Sequence, residues 1–249
     1  DGMTSRGYEI SFAEAIFEQI KGFSEYGFPE SHAALFALLV YASCWLKCHH
    51  SAEFLAAMLN LQPLGFYSAS QLVQDAKRHG VEVRRVDVMH SDWDCSLEGL
   101  PYPPAVRLGL RLVIGLKAES ANRILEARKA APFDGAEDLA RRAGLDRHEM
   151  TLLAVADALM SLAGHRRQQV WEAAALRSTP KLLRDAPVDE DYLELPEAPE
   201  GEEVLWDYAA TGLTLRRHPL AILRPTLAAQ SWKTAAELHD LPTGRLAQA

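Results

Sequence analysis

Four groups of residues in this 249-residue sequence have types and spacing that chemistry can use. Asp92 and Asp94 form an Asp-x-Asp pair, a pattern that helps hold a divalent ion when further oxygen ligands converge on it. Cys44 and Cys48, followed by His49 and His50, are zinc-type donors, with the two cysteines on one face of a helix. Ser31 and His32 put a hydroxyl and an imidazole at a helix start, where both can donate to phosphate oxygens, and Lys47 adds a cation further along. Ile114-Gly115-Leu116-Lys117 places one glycine between two short helical stretches. Each group also has a plainer reading. The two aspartates fit a surface loop after a strand. The cysteines lack the distant second pair of a structural zinc site and read as buried, inert thiols. Ser31 can simply cap its helix while His32 packs, and Lys47 can be a solvated helix end.

The glycine turn carries the most physical content. Without a side chain, Gly115 permits a tight turn and a close approach of phosphate to the backbone. The first N–H groups of the helix starting near Ala118 have no helical partners and carry partial positive charge, so they can hold a phosphate oxygen. Lys117, Arg123 and Arg128 can add charge, and Ala121 is small enough for a close helix crossing. A weaker copy runs from Leu139 through Ala143-Gly144-Leu145 into Arg147–Leu159. The pattern resembles the helix-hairpin-helix motif, which grips phosphates without strong sequence preference and loses affinity with salt. A helical hairpin that binds nothing has the same turn.

These groups sit on a mainly helical chain. Ile10, Ala13, Ile16, Phe17 and Ile20 recur at helical spacing. After the break at Tyr26-Gly27-Phe28-Pro29, Ser31 opens a helix through about His49, so densely apolar that it is expected to be buried nearly all round. Ser51 caps Ala52–Asn60, and Ser68 or Ser70 opens a helix ending at His79-Gly80. Val81–Val88 alternates like a strand that can pair with Ala105–Leu110 across the Pro101–Pro104 loop. Helical hairpins follow from Arg111 to about Ala175, and helices return at Leu205–Leu223 and Thr234–His239.

Charge divides the chain. The net charge is −8, yet residues 105–184 hold 14 lysines and arginines against 9 acids, and residues 185–205 hold 9 acids and no base. The basic middle is the part suited to nucleic acid, and the acidic stretch reads as a linker. No apolar run is long enough to cross a bilayer, which takes about 18 residues or more. Three cysteines without a pairing pattern fit a reducing, cytoplasmic setting. The abrupt ends read as a piece of a longer protein.

Longer motifs are more specific. Gly27-Phe28-Pro29-Glu30-Ser31-His32, the aliphatic run to Ser43, Trp45-Leu46-Lys47 and Ala52-Glu53-Phe54-Leu55 resemble the fingers of bacterial C-family DNA polymerases, the polymerase III alpha type. Replicative members usually carry Asn-Lys before Ser-His, where this chain has Pro29-Glu30. An acid there repels a triphosphate unless it faces away. That departure, with Gln62-Pro63-Leu64-Gly65-Phe66-Tyr67-Ser68, His79-Gly80-Val81-Glu82-Val83, Ser91-Asp92-Trp93-Asp94-Cys95 and Leu108–Leu116, resembles the error-prone, damage-tolerance branch. Gly164-His165-Arg166-Arg167 with Trp171, then Gly212-Leu213-Thr214-Leu215 and His218-Pro219-Leu220, also match the family's pattern.

The resemblance implies a domain order: fingers with a small β element at 1–104, a tandem helix-hairpin-helix module at 105–184, an acidic linker at 185–204, and at 205–249 a helical connection toward an absent OB fold. It implies no catalytic residue and no metal ligand in this chain, because the family's PHP domain and the palm, with its Mg²⁺-holding aspartates, lie upstream. Ser31, His32 and Lys47 would face a deoxynucleoside triphosphate. Ile114, Gly115, Leu116, Lys117, Arg123, Gly144, Arg147, Arg166 and Arg167 would face duplex primer-template DNA. A sliding clamp and a mutagenesis accessory protein are implied partners, and a membrane is not. The piece alone is expected to be inactive in an otherwise error-prone polymerase. Rival readings are a stand-alone DNA-binding adaptor, a helical protein-interaction module with the acidic stretch as its docking segment, and a replicative polymerase III alpha parent.

Overall fold

The computed structural model describes the chain apart from residues 1, 26–29, 100–101, 177–192, 243, 245 and 249. It divides into two compact units, Asp1–His50 and Ser51–Ala249. The expected break at Tyr26-Gly27-Phe28-Pro29, the prolyl loop's Pro101 and the first half of the acidic stretch lie outside the described residues.

The smaller unit holds α1 (Ile10–Glu25) and α2 (Glu30–His49) after a 3₁₀ turn at Thr4–Arg6. The apolar periodicity of both helices is as expected, but the burial is not. Leu35, Phe36, Leu38, Leu39, Val40 and Tyr41 are all exposed. A helix apolar on every side needs neighbours on every side, and two helices cannot supply them. Cys44 and Cys48 are likewise exposed rather than buried, while Cys95 is buried.

The larger unit begins with α3 (Ser51–Asn60) and α4 (Ala69–Arg78). Ser68 is the α4 cap: its hydroxyl accepts from the Gln71 amide at 3.2 Å, and the Gln71 side chain accepts from the Ser68 amide at 3.0 Å. A three-stranded sheet follows, from β1 (Val83–Arg84), β2 (Ser96–Glu98) and β3 (Ala105–Arg107), in the order β1-β3-β2. The 83–84 and 105–107 segments do pair, but in parallel, with Val83 opposite Val106. The antiparallel partner across the prolyl loop is β2, which the sequence reading missed, with Leu97 opposite Val106. The expected division between residues 104 and 105 therefore falls inside this sheet.

A 3₁₀ turn (Leu110–Leu112) leads to α5 (Ala118–Ala130), α6 (Ala136–Ala143), α7 (Arg147–Val155), the short α8 (Met160–Ala163) and α9 (Arg166–Ala175). Then come α10 (Glu200–Thr211), α11 (Pro219–Ala229) and α12 (Ala235–His239). Glu200, Glu202 and Glu203, expected in a linker, form the first turn of α10, where acids suit the positive end of the helix dipole. Leu59, Leu110, Ile124, Leu139, Met150, Leu153 and Leu159 have no accessible surface and form one core under the sheet and hairpins. Each such side chain contributes about 1.5–3 kcal/mol by leaving water.

Candidate nucleic-acid interface

The first hairpin is asymmetric. Its leading element is the 3₁₀ turn at Leu110–Leu112 instead of the expected α-helix. Leu110 and Val113 are buried and anchor it. Ile114 is exposed, and its amide donates to the carbonyl of Ala210 on α10 at 2.8 Å. Gly115 has a φ of +87°, a left-handed conformation that disfavours any residue with a Cβ. A Cβ there would sit 3.4 Å from Leu152 Cδ1, so backbone conformation, not space, selects glycine. Leu116 turns back into the core.

Lys117 occupies the N-cap of α5 with extended backbone and offers no side-chain cap. The amides of Ser120 and Ala121 return to the Lys117 carbonyl, both at 3.1 Å. The amides of Lys117, Ala118 and Glu119 have no partner among the described residues. Three N–H groups and an exposed ammonium thus meet at the positive end of a helix of 13 residues, an arrangement suited to a phosphate. Glu119 is exposed in the same turn and opposes that charge.

The second hairpin uses the same turn differently. Gly144 ends α6 at φ +60°, and Leu145 donates to the Ala140 carbonyl at 2.9 Å. Asp146 then caps α7: its carboxylate accepts from the Glu149 amide at 2.8 Å, and Glu149 accepts from the Asp146 amide at 2.8 Å. A side-chain anion already fills this helix start. Arg147, exposed in the first turn of α7, has no ion pair among the described residues.

The remaining cations divide into free and occupied. Arg123 binds both oxygens of Glu149, at 2.8 and 3.0 Å, and Ser120 donates to the same carboxylate, so this group joins α5 to α7. Burial pushes the Glu149 carboxyl upward, but the Ser120 hydroxyl, the Asp146 amide and Arg123 together hold it below the ordinary value. Arg128 reaches the carbonyls of Val88 and Ser91 and the carboxylate of Asp92, all within 2.9 Å. Arg166 is 3% exposed and lies among the carboxylates of Glu203, Asp207 and Asp157. A guanidinium so enclosed cannot reach a DNA backbone, which removes Arg166 from the contact set. Arg167 is half exposed and bridges to Glu202 at 2.8 Å.

The nucleotide-facing candidates lie on α2 in the smaller unit. His32 is exposed, with its ring edge-on to Phe36 at 4.5 Å between centroids. Ser31 is in the first turn of α2, inside the helix rather than ahead of it, and its side chain lies outside the described residues. Lys47 is exposed in the last turn. Asp92 and Asp94 do not converge on a common point: Asp92 pairs with Arg128 at 2.9 Å and Asp94 with Arg111 at 2.7 Å. Among the described residues, no three His, Cys, Asp or Glu side chains are grouped to hold a metal ion, Cys44–His50 included.

Comparison with known proteins bears on both halves. A family model of the helix-hairpin-helix motif matches residues 80–169, which include both glycine turns. The error-prone DNA polymerase of Bordetella parapertussis is 56% identical over 251 residues, covering 100% of this chain and 24% of that protein. Those of Burkholderia pseudomallei and Methylococcus capsulatus are 55% and 49% identical, again over 100% of this chain and over 24% and 26% of their own lengths. The chain spans about a quarter of the length of these curated relatives. Matched from end to end, the chain is similar to that quarter of these error-prone DNA polymerases.

Proposed function

We propose that the chain serves as the duplex-gripping and nucleotide-facing part of an error-prone DNA-directed DNA polymerase acting in damage tolerance. The open start of α5 is the observation that carries this reading. Three amides without a partner among the described residues, and Lys117, stand where a phosphate would sit, and Arg147 in the first turn of α7 is a further cation with no ion pair among the described residues. The hairpin module of residues 105–184 would hold the duplex, and α2, with Ser31, His32 and Lys47, would contribute to the triphosphate site. Phosphate contacts position a duplex without reading its bases, which suits an enzyme that must travel over any sequence.

Nucleotidyl transfer in such a polymerase uses carboxylate-held Mg²⁺ to activate the 3′-hydroxyl and stabilise the departing pyrophosphate. Asp92 and Asp94 do not fit that task, since each is tied to an arginine. Their part is to fix loops. A deoxynucleoside triphosphate and primer-template DNA follow as substrates, with a sliding clamp and a mutagenesis accessory protein as partners. Among the described residues no helix is long and apolar enough to cross a membrane, and the cytoplasm is the proposed location.

The test is a salt titration of duplex binding by the 249-residue chain. Affinity should fall steeply with salt, Lys117→Gln should lower the log–log slope by about 1, and Gly115→Asp with Lys117→Glu should abolish binding while helicity persists. Equal, weak binding by all three proteins would sink the proposal.

A further inference from the structure

Arg166 is almost wholly buried, yet it sits within a polar network that joins α9 to α10. Its Nη1 donates to the Glu203 carbonyl at 2.8 Å and lies 3.0 Å from the Glu203 carboxylate, and Nη2 binds Asp207. Both acids belong to α10. Thr214 donates to the other Asp207 oxygen at 2.6 Å, and Arg216 reaches Glu203 at 2.9 Å and Asp157 at 3.4 Å. Asp157 also takes Arg85 at 2.8 Å and Gln169 at 2.7 Å, which ties in the sheet and α9. Glu203 and Thr214 are buried as well.

The consequence lies one turn further along α10. Ala210 follows Asp207 by three residues, and its carbonyl is the acceptor for the Ile114 amide. That hydrogen bond fixes the residue immediately before Gly115. The turn receives no other backbone bond from outside its own hairpin among the described residues. α10 is therefore one of the elements that set the direction of the open α5 amides, together with the Leu110 and Arg111 bonds to the Asp92 and Trp93 carbonyls and the Arg123–Glu149 pair.

We propose that Arg166 is a positioning residue for DNA binding: by clamping Glu203 and Asp207 it holds α10 so that the Ala210 carbonyl fixes Ile114 and, through it, the Gly115 turn. This rests on the reading of that turn as the phosphate grip. Arg166 acts through α10 and never touches DNA.

The experiment uses the 249-residue chain and reads two quantities: amide hydrogen exchange at Ile114, and the affinity and salt slope for a duplex. In Arg166→Met, exchange at Ile114 should speed at least about tenfold more than exchange within α5 and α7. Affinity should fall about two- to thirtyfold with the salt slope unchanged, because no phosphate contact is lost. Arg166→Lys should recover part of both. Removing one partner from a buried ionic cluster can unfold a protein, so Asp207→Asn, which keeps the shape, decides the matter if Arg166→Met does not fold. Lys117→Gln is the comparison: slope reduced by about 1, Ile114 exchange unchanged. Unchanged Ile114 exchange, faster exchange with undiminished affinity, or a salt slope reduced by about 1 in the Arg166 variant each overturns the proposal. Wild-type chain that fails to bind, or a Lys117→Gln slope equal to wild type, instead locates the fault in the phosphate-grip reading, and the inference falls with it.

Discussion

Gly109→Ala is the sharpest test of how the hairpin is anchored. Gly109 has an ordinary φ of −81°, so the backbone would accept any residue. Space is what forbids a side chain. A Cβ built there lies 2.4 Å from Trp93 O and 2.4 Å from the Asp94 carbonyl carbon. Ordinary contact between carbon atoms begins at about 3.5 Å, so the two strands of chain must separate by about 1 Å. Both opposing atoms are backbone, and no rotamer can relieve them. That separation would strain the hydrogen bonds from Leu110 to Asp92 O at 2.8 Å and from Arg111 to Trp93 O at 3.0 Å. Overpacking costs about 1–3 kcal/mol, and each weakened bond about 0.5–1.5 kcal/mol, so a loss of about 3 kcal/mol or more is expected. At about 2–4 °C per kcal/mol, Tm should fall by about 6–12 °C. Gly65→Ala, in a loop with nothing within 4 Å of its Cβ, is the control and should stay within about 0.5 kcal/mol of wild type. Calorimetry with the two variants side by side checks this. A Gly109→Ala melt within 2 °C of wild type, or equal losses in both, would refute the steric argument.

Two further outcomes follow from the hairpin's charges. Glu149 is held below the ordinary carboxylate value in the folded chain, so the unfolded chain takes up its proton first as pH falls. Its stabilising contribution is complete above the unfolded value of about 4.3 and is lost as pH drops through the lower folded value; urea unfolding across that window should show a slope that Glu149→Gln flattens. Glu119→Gln removes the acid beside the open α5 amides, and should strengthen duplex binding about two- to fivefold while costing the helix about 0.3–1 kcal/mol. Weaker binding by that variant would place the phosphate elsewhere.

Local features were legible where local physics decides them. Ser68, Thr234 and the glycines at 115 and 144 do what their residue types imply, because caps and left-handed turns are settled within a few residues. Long-range choices were not. The 83–84 segment pairs with 105–107 as expected, yet the direction of pairing depends on β2, a three-residue strand too short for its alternation to announce it. Glu200–Glu203 look like linker because acids and prolines crowd together. They fold as a helix start because Arg166 and Arg217 reach them from elsewhere in the chain.

The same distinction governs the candidate site. Lys117, Arg123, Arg128, Arg147 and Arg166 are equal in a sequence: five cations in a basic stretch. What separates them is whether a carboxylate or carbonyl has claimed the charge, and that is a property of the fold. Arg128 and Arg166 are each claimed by several acceptors, Arg123 by one glutamate, and Lys117 and Arg147 by none among the described residues. A phosphate gains little from a guanidinium already bound to an acid, since the existing partner must first be displaced. The two glycine turns divide by the same logic. Asp146 satisfies the start of α7, whereas Lys117 cannot accept a hydrogen bond and leaves the start of α5 open. The residue just after each Gly-Leu pair therefore distinguishes a turn that serves the fold from one that is free to take a phosphate.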